Sequence, residues 1–136
     1  MNGYLLDTNV VSELRKKKPH GAVISWLSAL REDEMHISAV TLGELQAGVE
    51  LLRPHDAERA REIEEWVDSL DMIVSILPMD NACFRELARI LPHKATHVIQ
   101  DAMIAATARV HHLTVATRDE ADFKQFPVAI VNPFKN

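Results

Sequence analysis

Short apolar runs of strand length alternate along this sequence with stretches whose apolar residues recur at helical spacing, and few folds tolerate that rhythm. Tyr4-Leu5-Leu6 leads into Val10, Val11 and Leu14, and Met35-His36-Ile37-Ser38 leads into Leu42, Leu45, Val49 and Leu52. Ile73-Val74-Ser75-Ile76-Leu77, rich in β-branched residues and stopped by Pro78, precedes an amphipathic helix over 81–91. Two more helices are predicted over 22–30 and 56–70. A helix over 100–108 is small and apolar nearly all round, which requires packing on most of its sides. Strands over 113–117 and 128–131 complete the pattern. Strands that alternate with helices throughout predict an α/β fold, a mostly parallel sheet with helices on both faces.

At 136 residues, with no Pro-, Gly- or Ser-rich linker, the chain is expected to form one domain over 1–136. No apolar run approaches the roughly 18 residues of a membrane span. Met1 is followed by no basic region and no apolar signal core, so a cytoplasmic location is expected. Cys83 stands alone among Ala82, Phe84 and Leu87 and reads as a buried structural thiol, not a nucleophile. A net charge of −5 excludes binding nucleic acid through a broad basic surface, but not a nuclease whose carboxylates hold divalent cations. The one basic block, Arg15-Lys16-Lys17-Lys18, is either a solvated helix end or a phosphate-guiding strip.

In parallel sheets ligands gather beyond the carboxyl ends of the strands. Asp7 and Asp119 each lie just past a predicted strand, while Glu44 and Asp101 each lie in the first turns of a helix. Each acid alone has an ordinary explanation. Asp7 and Asp119 suit turns or caps, Glu44 fits a capping box with Thr41, and Asp101 complements a helix dipole. Gathered on one edge they repel, and a divalent cation resolves the conflict. An all-oxygen ligand set selects Mg²⁺ or Mn²⁺ over Zn²⁺. His93 and His97 after Pro92, and His111-His112 at a helix end, make no histidine metal site. The chemistry that fits is phosphodiester hydrolysis. Gly-x-Ser-x-Gly, P-loop and dinucleotide-binding motifs are absent.

The blocks Leu5-Leu6-Asp7-Thr8-Asn9-Val10-Val11-Ser12-Glu13, Ser38-x-x-Thr41-x-x-Glu44-Leu45-x-x-Gly48, Asp101-x-x-Ile104-Ala105-Ala106-Thr107-Ala108 and Val115-Ala116-Thr117-Arg118-Asp119-x-x-Asp122-Phe123 together resemble the PIN-domain ribonucleases, specifically the VapC-type toxins of bacterial toxin-antitoxin pairs. The resemblance implies a three-layer α/β/α sandwich and a Mg²⁺- or Mn²⁺-dependent endoribonuclease. It further implies a cognate antitoxin that covers the active site, homodimerisation, and contact with operator DNA only through the antitoxin. Asp7, Glu44 and Asp101 match the family's acidic positions. The fourth is Asp119, with Asp122 in reserve and Thr117 or Asn9 as hydrogen-bonding neighbours. Trp26 and Trp66 lie on stripes that face either the core or a partner.

Two other classes compete. A haloacid-dehalogenase-like phosphatase needs a second Asp two residues after the first, where this chain has Asn9. A catalytically silent module that regulates transcription with its antitoxin would have no need of the intact acids.

Overall fold

The computed structural model describes residues 3–92 and 98–135; His93 and His97 lie outside them. Five parallel strands form one sheet in the order β3-β2-β1-β4-β5: β1 (Tyr4–Leu6), β2 (Met35–Ser38), β3 (Ser75–Leu77), β4 (Thr114–Ala116) and β5 (Ile130–Val131). The strands are shorter than their apolar runs. Ile73 and Val74 close a 3-10 turn over Leu70–Met72 through amide bonds to Leu70, before pairing begins.

Adjacent residues on each strand feed opposite layers, as the pleat requires. Leu5 and Val115 pack beneath α5 (Asn81–Ile90), α6 (Ile99–His111) and α7 (Glu120–Lys124), with Leu87, Ile104 and Phe123. Leu6, Ile37 and Ala116 face the other layer, built from α1 (Thr8–Val11), α2 (Gly21–Ser28), α3 (Ala39–Leu52) and α4 (Ala57–Ser69). The expected sandwich is therefore present, with a sheet that is parallel at every pairing. In α6 the small residues Ala102, Ala105, Ala106 and Ala108 are fully buried, so this helix lies close to its neighbours along most of its surface.

Two local readings change, and a third, left open, is settled. Helix α3 starts two residues before Thr41, capped by Ser38, whose Oγ accepts from the Val40 amide at 3.1 Å. The capping box at Thr41 and Glu44 does not exist, and Glu44 is free for another role. The segment after Asp119, read without a helix, forms the five-residue α7, which is too short to show a helical period. Trp26 packs edge-on against Tyr4 with ring centroids 4.8 Å apart, whereas Trp66 also lines a groove of about 360 Å³ with Leu14, Ile63 and Arg59.

Candidate active site

The chain runs outward from β1 through β2 to β3 and then returns to the other side of β1 to form β4, so the sheet's switch point falls between β1 and β4. Leu6 pairs with Ala116, which sets the next residues, Asp7 and Thr117, side by side past the strand ends. The Asp7 amide bonds to the Ala116 carbonyl at 2.9 Å, and the Thr117 amide to the Val131 carbonyl at 3.0 Å.

Asp7 is only 5% exposed, and each of its oxygens is engaged. Oδ1 caps α1 by accepting from the Thr8 amide at 2.8 Å; Oδ2 accepts from Thr117 Oγ1 at 2.8 Å and from Asn9 Nδ2 at 3.3 Å. Capping is thus real, but it accounts for one oxygen only. The Asn9 amide also donates to Asp119 Oδ2 at 3.1 Å, and Thr117 Oγ1 accepts from the Asp119 amide at 2.9 Å. Two uncharged side chains therefore hold Asp7 and Asp119 together.

From α3, Glu44 Oε1 accepts from Thr8 Oγ1 at 3.0 Å, with the Thr41 hydroxyl 3.5 Å from the same Thr8 oxygen. Thr8 and Thr41 read in sequence as a turn residue and a cap; the fold makes Thr8 the link from Glu44 to the Asp7 loop. Nothing local in the sequence signals a contact across 36 residues. Asp101 enters from the first turn of α6, where the helix dipole favours a carboxylate.

The charges of these acids are coupled. Burial pushes the Asp7 carboxyl up; the bonds from Thr117 and Thr8 oppose this, and the charges of Asp119 and Asp122 add to it. Burial also raises Glu44, helped by Asp7 and opposed by the Thr8 bond. Asp101 is pushed up to about 6, first by burial and then by Asp7, Asp122, Glu44 and Asp119. The fourth acid divides: Asp119 weighs more than Asp122 on Asp7, and Asp122 more than Asp119 on Asp101.

Among the described residues no Lys or Arg pairs with Asp7, Glu44, Asp101 or Asp119. Among those residues, too, no three of His, Cys, Asp and Glu stand close enough to form a ready-made metal-binding group. Hard oxygen donors, partial burial and uncompensated charge fit a hard divalent cation in chemistry, and they fit neither Zn²⁺ nor an organic cofactor. Cys83 is buried, its thiol raised by burial and by Asp80, which removes it from nucleophilic chemistry.

The fold is that of a doubly wound α/β protein in which Asp7 and Asp119 are linked through Asn9 at the switch point of the sheet. Residues 4–129 match the PIN domain, and the chain belongs to that family, as its motifs imply. It is 37% identical to Toxin FitB of Neisseria gonorrhoeae, over 96% of this chain and 97% of that protein. It is 33% identical to the VapC ribonuclease Y4jK of Sinorhizobium fredii, with the same coverage of both chains. The solved structure of FitAB bound to the IR36 DNA fragment superposes with a TM-score of 0.83 at 33% identity, covering 98% of this chain and 96% of that one.

Proposed function

We propose that this chain is a divalent-metal-dependent endoribonuclease and the toxin of a toxin-antitoxin pair. The observation that carries the reading is the placing of Asp7, Glu44 and Asp119 from three separate segments into one hydrogen-bonded arrangement through Thr8, Asn9 and Thr117, with Asp101 coupled to all three by charge. The whole-length likeness to a VapC ribonuclease and to a FitB toxin supports the RNA substrate and the toxin role. The intact acids set aside the silent regulatory module.

Asp7 and Asp101 are the principal ligands for Mg²⁺ or Mn²⁺, with Glu44 and Asp119 completing the oxygen set. When bound, such an ion activates water and neutralises the scissile phosphate. Thr117 and Asn9 hold the Asp7 carboxylate in one orientation, and Thr8 holds Glu44, so little reorganisation remains when substrate arrives. A small antitoxin is the partner, operator DNA is reached through it, and the chain works as a homodimer; the likeness to the DNA-bound FitAB assembly supports the first two. Apolar side chains available for such contacts include Leu51, Met72, Phe84 and Ile99.

The test uses the purified chain, free of antitoxin, on mixed-sequence single-stranded RNA in Mn²⁺. Cleavage is expected, and excess EDTA should abolish it. Asp7→Ala and Asp101→Ala should each lose more than the roughly 100-fold that removing an outer-shell partner costs. Undiminished cleavage in EDTA, or wild-type rates in both variants, would overturn the reading.

A further inference from the structure

Glu13 is buried yet takes no part in the acidic cluster. Its side chain is 3% exposed and accepts from Lys16 Nζ at 2.5 Å and from the His20 amide at 2.8 Å, and its Oε2 also lies 3.8 Å from Arg118 Nη2. Arg118 is the residue before Asp119, and its guanidinium lies 4.0 Å from the centre of the Phe134 ring. Phe134 in turn packs edge-on against His20, with centroids 5.2 Å apart. The Arg118 amide donates to Asn9 Oδ1 at 3.2 Å, and the same Asn9 side chain binds Asp7 and Asp119.

Resting on the ribonuclease reading, we infer that Arg118 anchors a backbone phosphate of the RNA beside the carboxylate cluster, and that Glu13 and Phe134 hold its guanidinium ready for that contact. A separation of 3.8 Å lies outside hydrogen-bond range, so Glu13 orients the guanidinium by charge while leaving its five N–H donors available. Half of the side chain remains open to solvent. A planar fork held on an aromatic face is pre-organised for two-point binding of phosphate. Arg31, Arg53, Arg89 and Arg109, by contrast, are each tied to a carboxylate at hydrogen-bonding distance.

The surroundings favour RNA over an acidic protein segment. Lys16 shares Glu13 with Arg118, and among the described residues Arg15, Lys17 and Lys18 next to it have no carboxylate within 4.0 Å. With a net charge of −5 the surface as a whole repels a polyanion, so a cationic flank joined through Asn9 to the acids guides the backbone to the one place where it is cut.

The experiment compares cleavage of a fluorescent single-stranded RNA in Mn²⁺ by wild type, Arg118→Ala, Arg118→Lys and Glu13→Gln, with Arg85→Ala as a charge control and circular dichroism to verify folding. Arg118→Ala should raise KM about tenfold with kcat within twofold, and the salt dependence of log kcat/KM should become shallower by about 0.7, one single-strand phosphate contact. Arg118→Lys should keep the salt slope but recover KM only in part. Glu13→Gln should raise KM while leaving the slope unchanged. An unchanged KM and slope in Arg118→Ala, equal losses in Arg85→Ala, or a fall in kcat alone each overturns the assignment. So does an Arg118→Ala chain that handles RNA normally but loses affinity for its antitoxin. A folded wild type that cleaves no RNA overturns the functional reading itself.

Discussion

Helix α6 carries a titratable cluster at each end, and the two are built on opposite principles. At its first turn Asp101 is charge-coupled to Asp7, Glu44 and Asp119, and among the described residues no Lys or Arg pairs with any of the four. At its last turn His111 approaches His36 of β2, and there the trouble is too little polarity. Both ring nitrogens of His36 and Nε2 of His111 are buried without a hydrogen-bond partner among the described residues. The backbone is tight here as well. A Cβ on Gly3 would stand 3.2 Å from the Glu34 carbonyl and 3.4 Å from His36 Nε2. Burial pushes His36 down, opposed first by the nearby Asp33 backbone and more weakly by the Asp33 charge, and helped by the charge of His111. The same helix thus has a carboxylate group at one end and, near the other, the His36 imidazole, whose protonation is opposed by burial. Functional sites store unfavourable electrostatics for use; structural sites avoid charge.

The largest effect expected of a residue outside the ligand set is at Thr117. Thr117→Val removes the hydroxyl that donates to Asp7 and accepts from the Asp119 amide, at nearly constant volume. Mn²⁺ affinity or cleavage rate should fall by about 10- to 100-fold. A Mn²⁺ titration that gives wild-type affinity and rate would show that the acids need no such support.

Next in size is the stability of the metal-free chain. With a folded value of about 6 against an ordinary 3.8, Asp101 takes up a proton on folding between those pH values. Its contribution to stability is therefore present below about pH 4 and lost as pH rises through about 6. Asp101→Asn should stabilise the EDTA-treated protein at pH 7 by on the order of 1 kcal/mol, well below the full linkage value because the side chain is partly solvated. The gain should vanish near pH 4. Urea unfolding at both pH values measures it, and destabilisation at pH 7 would deny that the cluster is uncompensated.

The smallest effect belongs to the other end of α6 and has the opposite sign. His36 is depressed from 6.5, so its contribution is present above that pH and lost as pH falls through the lowered value. His36→Leu should be close to neutral at pH 7, because it removes unpaired polar atoms and fills similar space, and should flatten the loss of stability between pH 7 and 5. Thermal melts across that range test it. An unchanged pH profile would show that burial of His36 contributes no acid sensitivity.

The alternation of strands and helices was legible because apolar spacing responds to local geometry: a pleat repeats every two residues and a helix every 3.6. For that reason β1, β2, α4 and α5 fall close to where their residues place them, and Asp7, Glu44, Asp101 and Asp119 stand out at element ends. The motifs carried the family as well. What a linear pattern does not hold is which element ends meet. Glu44 passes in sequence for the partner of Thr41 three residues away, and only the fold gives it Thr8 across the cleft and places Ser38 at the cap. Asn9 reads as a turn residue until β1 and β4 become neighbours and its amide spans Asp7 and Asp119. Glu13 is one more acid on a short helix until Arg118 and Phe134 arrive from more than 100 residues away. Residue types and their periods follow from each residue's own neighbours, but hydrogen bonds, burial and charge coupling depend on distance in space, and the order of the strands decides that distance.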